Sequence, residues 1–311
     1  MLYDIIVIGG GPAGLTAALY ARRAGRTALI LEKNSLGGQI TWSPKVENYP
    51  GMPAVSGLEF ADKLAAQVLD SGAELELDEV TKIEPVSGGF KVLTAFGGEY
   101  AARAVILALG ARPRRLGLDG EEELIGAGVS FCAVCDGEFY KDQDVAVCGG
   151  GNSALQEALY LSSLCRAVYL IHRRDEFRGD SALVQAVKAR ENIRLMLSMK
   201  VSALKTDGGA EPRLVGLTLS GADGDTMTLA VECLFEAIGH EPESEIAAGL
   251  IKLDESGYAD SGEDCLTCVP GVFVAGDLRV KSVRQLTTAT SDGAVAALAA
   301  CSYLDSLGAD N

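Results

Sequence analysis

No run of this sequence approaches the ~18 uninterrupted apolar residues that a membrane helix needs. No transmembrane span is therefore expected, although 48% of the residues are hydrophobic. Histidine is scarce, with two copies, and tryptophan occurs once. Base and acid chemistry built on histidine thus has few candidates. Cationic residues are also short: 27 Lys and Arg stand against 43 Asp and Glu, a formal charge of −16. A surface that acidic excludes nucleic acid or an anionic membrane as the main partner. No secretory leader is expected, because Leu2 to Ile8 runs straight into Gly9 and reads as a strand of the fold. The expected compartment is the cytoplasm, where structural disulfides are rare.

What is plentiful is glycine, with 37 copies in 311 residues. The length predicts about two domains. Much of the glycine lies in a duplicated pattern. Tyr3 to Ile8 reads as a buried strand, Gly9 to Gly14 as a tight turn, the run to about Ala24 as a helix, and Thr27 to Leu31 as a second strand ending at Glu32. Val145 to Cys148, Gly149 to Ala154, Leu155 to Leu164 and Ala167 to Ile171 repeat that layout, ending at His172. The interval from Gly9 to Glu32 equals that from Gly149 to His172. A strand–turn–helix–strand unit explains it. Apolar runs closing in glycine recur at Val105 to Gly110, Cys233 to Gly239 and Val272 to Gly276, and predict further parallel strands.

Both turns carry a phosphate-binding pattern. In Gly9-x-Gly11-x-x-Gly14 the glycines allow close backbone approach, and the helix start turns N–H donors toward a pyrophosphate. Pro12 and Ala13 lie inside that turn. Glu32, at the end of the next strand, can accept from ribose hydroxyls. In Gly149-x-Gly151-x-x-Ala154, with Asn152 and Ser153 between, alanine still permits tight helix–strand packing. There the strand ends in His172-Arg173-Arg174 with Arg178 close behind. Arginine forks suit a 2′-phosphate that an acid would repel. The first turn thus suits FAD and the second NADPH.

Between the repeats stands Cys132-Ala133-Val134-Cys135-Asp136-Gly137. In a cytosolic chain a CxxC is catalytic or metal-binding. Asp136 is the nearest candidate proton donor, since neither His172 nor His240 adjoins the pair. A second pair, Cys265 and Cys268, lies too far away for a paired zinc site, so no metal is expected. Those two read as loop residues ahead of the Val272 strand. Cys148, Cys165, Cys233 and Cys301 read as small buried apolar residues.

Taken together the residues resemble the low-molecular-weight, bacterial-type thioredoxin reductases, FAD- and NADPH-dependent pyridine nucleotide-disulfide oxidoreductases. The resemblance rests on GGGPAG at Gly9, GGQ at Gly38, VENYPG at Val46, the Cys132 to Gly137 segment and GGGNSALQEALYLS at Gly149. HRRDEFR at His172, AIGHEP at Ala237, GVFVAGD at Gly271 and RQ at Arg284 complete it. It implies an α/β fold of two Rossmann-like dinucleotide-binding domains, with the NADPH domain inserted in a discontinuous FAD domain. Linker signals near Pro113 and Pro242 give boundaries of 1–113 and 242–311 for the FAD domain and 114–241 for the NADPH domain.

The family comparison places Gly38, Gln39 and Asn48 along the flavin, and Gly276, Asp277, Arg284, Gln285 and Leu286 on its ribityl and pyrophosphate side. Ile238 and Gly239 join the NADPH site. Cys135 becomes the cysteine nearer the flavin, Cys132 the one that attacks a partner disulfide, and Asp136 the general acid–base. Three positions depart from the family: Glu138 stands where an aromatic is common, Gly126-Ala127-Gly128 lacks a basic residue, and Ala108-Leu109-Gly110-Ala111 replaces ATGA.

The implied reaction runs from NADPH to FAD, to the Cys132–Cys135 disulfide, and by dithiol exchange to thioredoxin or a thioredoxin-like protein. A homodimer is implied as well. The disulfide must reach both flavin and partner, so the inserted domain is expected to rotate about its linkers. An FAD-dependent dithiol oxidase is the first alternative, against which the arginine cluster argues. The flavoprotein component of a peroxide-reducing system is the second; those carry an N-terminal disulfide-relay domain, whereas Tyr3 here already opens the FAD strand.

Overall fold

The computed structural model describes residues 2–221 and 223–309. They form two compact units, Met1–Arg112 with Glu241–Asn311, and Pro113–His240.

The first unit opens with β1 (Leu2–Ile8), α1 (Pro12–Arg23) and β2 (Ala28–Glu32). Next come α2 (Gly57–Asp70), β3 (Glu74–Leu77), β4 (Val80–Val86), β5 (Gly89–Thr94) and β6 (Glu99–Leu107). The sheet order is β3-β2-β1-β6-β5-β4. β1 runs parallel to β2 and β6, with Ile5 opposite Ala28 and Ala104. Successive side chains alternate between two cores, as a strand with both faces covered requires. Ile5 and Val7 face α1 with Ala17, Ala18 and Ala296, whereas Ile6 and Ile8 meet Val92, Val105 and Ile251 on the other face. β4 and β5 form an antiparallel hairpin.

β7 (Ala111–Pro113) leads into the second unit, with β8 (Val129–Ser130), α3 (Ala133–Asp136), β9 (Asp144–Cys148), α4 (Asn152–Leu161), β10 (Ala167–His172), α5 (Ser181–Lys188) and β11 (Ile193–Leu197). β12 (Met199–Thr206), β13 (Leu214–Gly221), β14 (Thr226–Leu229) and β15 (Cys233–Glu236) follow. β11, β10, β9, β15 and β8 make a parallel sheet in that order. α4 covers one face, over Val145, Val147 and Phe235. The antiparallel meander β12-β13-β14 covers the other, over Ala146, Ile171 and Leu234. The chain leaves by β16 (His240–Pro242), and β17 (Val272–Val274) and α6 (Leu286–Ala309) complete the first unit, β17 parallel to β6.

The duplicated strand–turn–helix–strand units are present, and the runs at Val105, Cys233 and Val272 are parallel strands. α4 stops at Leu161, three residues short of the expected end. Ser162 and Ser163 bond the carbonyls of Leu159 and Tyr160 at 2.7 and 2.6 Å and close the turn there.

Candidate active site

The two helices that follow the glycine turns begin without a side-chain cap. Gly11 precedes α1 and Gly151 precedes α4, and neither helix start is capped. α2 shows the ordinary arrangement, Ser56 accepting from the Glu59 N–H at 3.0 Å. The open starts leave N–H donors and a positive dipole end for an anion. A Cβ at Gly11 or Gly151 would meet nothing within 4 Å, so both positions face free space.

The turn ahead of α1 is held by close packing. Gly9 takes φ +107° and lies against the Ala108 carbonyl, and a Cβ at Gly14 would collide with the Gly9 carbonyl. The Glu32 carboxylate accepts from Gly10 N–H at 2.6 Å and from Asn34 N–H at 2.8 Å. A carboxylate has further lone pairs for hydroxyl donors. Two other residues expected at the flavin, Gly38 and Gly276, pack on this turn. Gly38 packs on Gly11, Gly276 packs on Ala13, and Gln39 donates to the Ala111 carbonyl at 2.6 Å. Asn48 and Gln285 meet through their amides at 3.3 Å, beside an open hollow of about 570 Å³ lined by residues 47–53. Arg284 lies 4.3 Å over the Tyr258 ring, and Leu286 opens α6.

Asp277 Oδ1 is buried without a hydrogen-bond partner, and burial pushes its carboxyl up, with Lys281 and Arg284 partly offsetting this. A buried orphan acceptor in a glycine-walled cradle fits a polyhydroxylated ligand such as the ribityl chain of FAD. The segment that carries it is fixed by Asp292, which sequence reasoning missed. Asp292 accepts from Gly276 N–H at 3.0 Å and Arg279 at 3.0 Å, both buried, and from part-buried Lys281 at 2.9 Å. The available signal was an isolated carboxylate inside an alanine-rich helix.

In the second unit the turn ahead of α4 is shaped by a histidine. A Cβ at Gly150 would overlap the His172 ring, which stacks on Phe177 at 5.5 Å. His172 is buried with Nε2 unpartnered, and its pKa is lowered by burial and by Arg178, Arg174 and Arg173. The three arginines are exposed, and their charges all act on this one imidazole. Asn152 is bonded to Asp180 at 3.0 Å, while Ser153 and Ala154 lie in the first turn of α4. Ile238 and Gly239 follow β15, and the Ala237 carbonyl closes on Gly149.

The sulfur site is compact. Cys132 and Cys135 form a disulfide with Cα atoms 5.3 Å apart. Cys132 precedes the single-turn α3, and Cys135 N–H points at its Sγ at 3.2 Å. Cys135 is exposed and Cys132 half-buried. Ser130, not anticipated from the sequence, accepts from Cys132 N–H at 3.2 Å and donates to Asp136 Oδ2 at 2.6 Å. Asp136 Oδ1 is buried and unpartnered, and burial raises its pKa while Ser130 partly offsets the rise. The turn is therefore a disulfide tied through one hydroxyl to an acid whose pKa burial raises.

The other cysteines divide clearly. Cys148, Cys165, Cys233 and Cys301 are buried, as expected. Cys265, expected as a loop residue, is buried too and donates to the Asp292 carbonyl at 3.6 Å, whereas Cys268 is exposed.

Known proteins are similar to this chain over nearly its whole length. Residues 3–293 match the pyridine nucleotide-disulphide oxidoreductase family. A thioredoxin reductase of Peptoclostridium litorale is 40% identical over 99% of this chain and 99% of its own. A bifunctional thioredoxin reductase/thioredoxin of Mycobacterium leprae is 43% identical over 97% of this chain and 66% of its own. The crystal structure of thioredoxin reductase from Streptococcus pyogenes superposes with a TM-score of 0.92 at 37% identity, covering 98% of this chain and 99% of that one. On its motifs, its fold and these likenesses, the chain belongs to the pyridine nucleotide-disulphide oxidoreductases and, among them, to the low-molecular-weight thioredoxin reductases.

Proposed function

We propose that this protein is an NADPH-dependent thioredoxin-disulfide reductase that carries FAD and passes electrons through Cys132–Cys135 to thioredoxin or a thioredoxin-like protein. The observation that carries the reading is a disulfide one residue from a buried acid, in a unit with an arginine-ended dinucleotide fold.

The residues fit both cofactors. The uncapped start of α1, Glu32 and Asp277 would hold the pyrophosphate, adenosine ribose and ribityl hydroxyls of FAD, with Gly38, Gln39, Asn48, Arg284, Gln285 and Leu286 around it. The uncapped start of α4 would hold the NADPH pyrophosphate, and Arg173, Arg174 and Arg178 its 2′-phosphate. When bound, the flavin supplies a two-electron relay between nicotinamide and sulfur. Residues 1–113 and 242–311 thus serve FAD, and residues 114–241 serve NADPH. Asp136 holds a proton beside the sulfurs, and Ser130 fixes its Oδ2 while orienting the backbone of Cys132. Cys135 receives electrons, and Cys132 exchanges with the partner disulfide, as in the family pattern. We also infer a homodimer working in the cytoplasm, on the family resemblance; light scattering tests the dimer.

A coupled assay tests the whole. NADPH should support reduction of thioredoxin at least about tenfold better than NADH, the worth of about one charge-assisted phosphate contact. Cys135→Ser should retain bound flavin and lose turnover. Equal use of both coenzymes, or turnover surviving in Cys135→Ser, would refute the reading.

A further inference from the structure

Opening Cys132–Cys135 creates charge, and the neighbours of the pair decide where it is neutralised. Two electrons from NADPH break the Sγ–Sγ bond and leave two sulfur anions. Asp136 is placed to protonate one sulfur. The other stays a thiolate, one added negative charge in a partly buried turn, where an uncompensated charge is costly.

A second carboxyl stands against the same turn. Glu157 belongs to α4, the helix that packs under it: Tyr160 and Leu161 leave no room for a side chain at Gly137. The Glu157 carboxylate accepts from the N–H of Ala133, the residue directly after Cys132. Its Oε2 is buried and has no hydrogen-bond partner among the described residues. Burial pushes the acid up to about 7, and the Ala133 N–H offsets only part of that. Among the described residues, no cation acts on this carboxyl. The elements packed on α4 bring Asp136 and the two sulfurs from the redox turn, Asp144 and Cys148 on β9, His172 on β10 and Lys188 on α5. None of these adds to the two influences on Glu157 just named.

We propose that Glu157 is a second proton-holding residue of the redox centre, taking up a proton when the disulfide opens and returning it when the pair is reoxidised. This rests on Cys132–Cys135 being the working disulfide. The step balances. A disulfide, two electrons and two protons from solvent, one passed on through Asp136 and replaced there and one taken up by Glu157, give one thiol, one thiolate and a neutral Glu157 in place of an ionised one, with no net change of charge. On reoxidation the thiolate attacks the substrate disulfide, and two electrons and two protons leave in the substrate dithiol.

Reduced-minus-oxidised infrared difference spectra of the FAD-loaded protein read carboxyl protonation directly. At mildly alkaline pH, where oxidised-state Glu157 is ionised, a carboxylic C=O band sensitive to D2O should grow on reduction by NADPH. It should persist in Asp136→Asn, be lost in Glu157→Gln and move in Glu157→Asp. Below about pH 6 the band should be silent, because Glu157 is then already protonated. Gln keeps an acceptor for Ala133 N–H, so the turn stays held while the titrating group is removed. Should Glu157→Gln fail to fold, the displaced band of Glu157→Asp carries the assignment. The S–H stretch shows in every variant whether the disulfide opened. An opened disulfide without the band, or an unmoved band in either Glu157 variant, overturns the proposal. A disulfide that NADPH never opens overturns the functional reading beneath it.

Discussion

The two oxygens of Asp136 live in different surroundings. Oδ2 is held by Ser130, whereas Oδ1 is buried and unpartnered; burial raises the pKa of this acid and the Ser130 bond offsets part of the rise. Activity that needs this acid is present at low pH and fades as pH rises through the raised value. Asp136→Asn keeps the Ser130 bond and removes the proton. Its kcat should fall by about 10²–10³-fold and lose the alkaline limb; steady-state rates across the pH range check both. The sequence showed this residue because Cys132, Cys135 and Asp136 are neighbours along the chain. It hid Ser130 and Glu157, which become partners of the pair only because α4 packs under the turn and β8 ends beside it. A polar residue at helical spacing looks the same whether it faces water or a redox centre.

At the scale of elements, α6 carries the clearest conflict between local pattern and role. Its apolar run holds Asp292, which binds buried Arg279, part-buried Lys281 and the Gly276 amide. Removing one partner of a buried ionic cluster costs about 3–5 kcal/mol. Asp292→Ala should lower the thermal midpoint and release FAD, since Gly276 and Asp277 lose their anchor; unfolding curves and flavin fluorescence read the two effects. Parallel strands were legible because Ile5 to Ile8 of β1, Ala104 to Leu107 of β6, Val145 to Cys148 of β9, Cys233 to Phe235 of β15 and Val272 to Val274 of β17 are buried and read as unbroken apolar runs. The hairpin β4–β5 and the meander β12–β14 were not. Their outward residues, such as Lys82, Lys200 and Lys205, break the run.

For the molecule as a whole, the sequence made the duplication visible, since equal spacing from Gly to strand end survives even where Glu32 and His172 differ in chemistry. It did not reveal the buried carboxyl Glu236, which ends β15 in an otherwise apolar strand. Burial and then Glu121 push its acid from 4.5 to about 8, against the Leu116 N–H and Arg115. Because the folded-state value is raised, this contribution to stability is complete below about 4.5 and is lost as pH climbs through about 8. Glu236→Gln should flatten that decline. The difference in thermal midpoint between mildly acidic and alkaline buffer should shrink by about 5 °C or more, measured on the FAD-loaded protein.

The cysteines outside the redox turn have a consequence for selectivity. Cys148, Cys165 and Cys265 are pushed up to about 12, 11 and 11 by burial, and Cys233 and Cys301 are raised as well. At neutral pH they stay protonated and shielded, hence poor nucleophiles toward oxidants and alkylating agents. A limiting dose of an electrophile added to the reduced enzyme would be consumed at the catalytic pair and at exposed Cys268. Inhibitors of the covalent kind thus meet a chain rich in sulfur that behaves, chemically, as though most of that sulfur were absent.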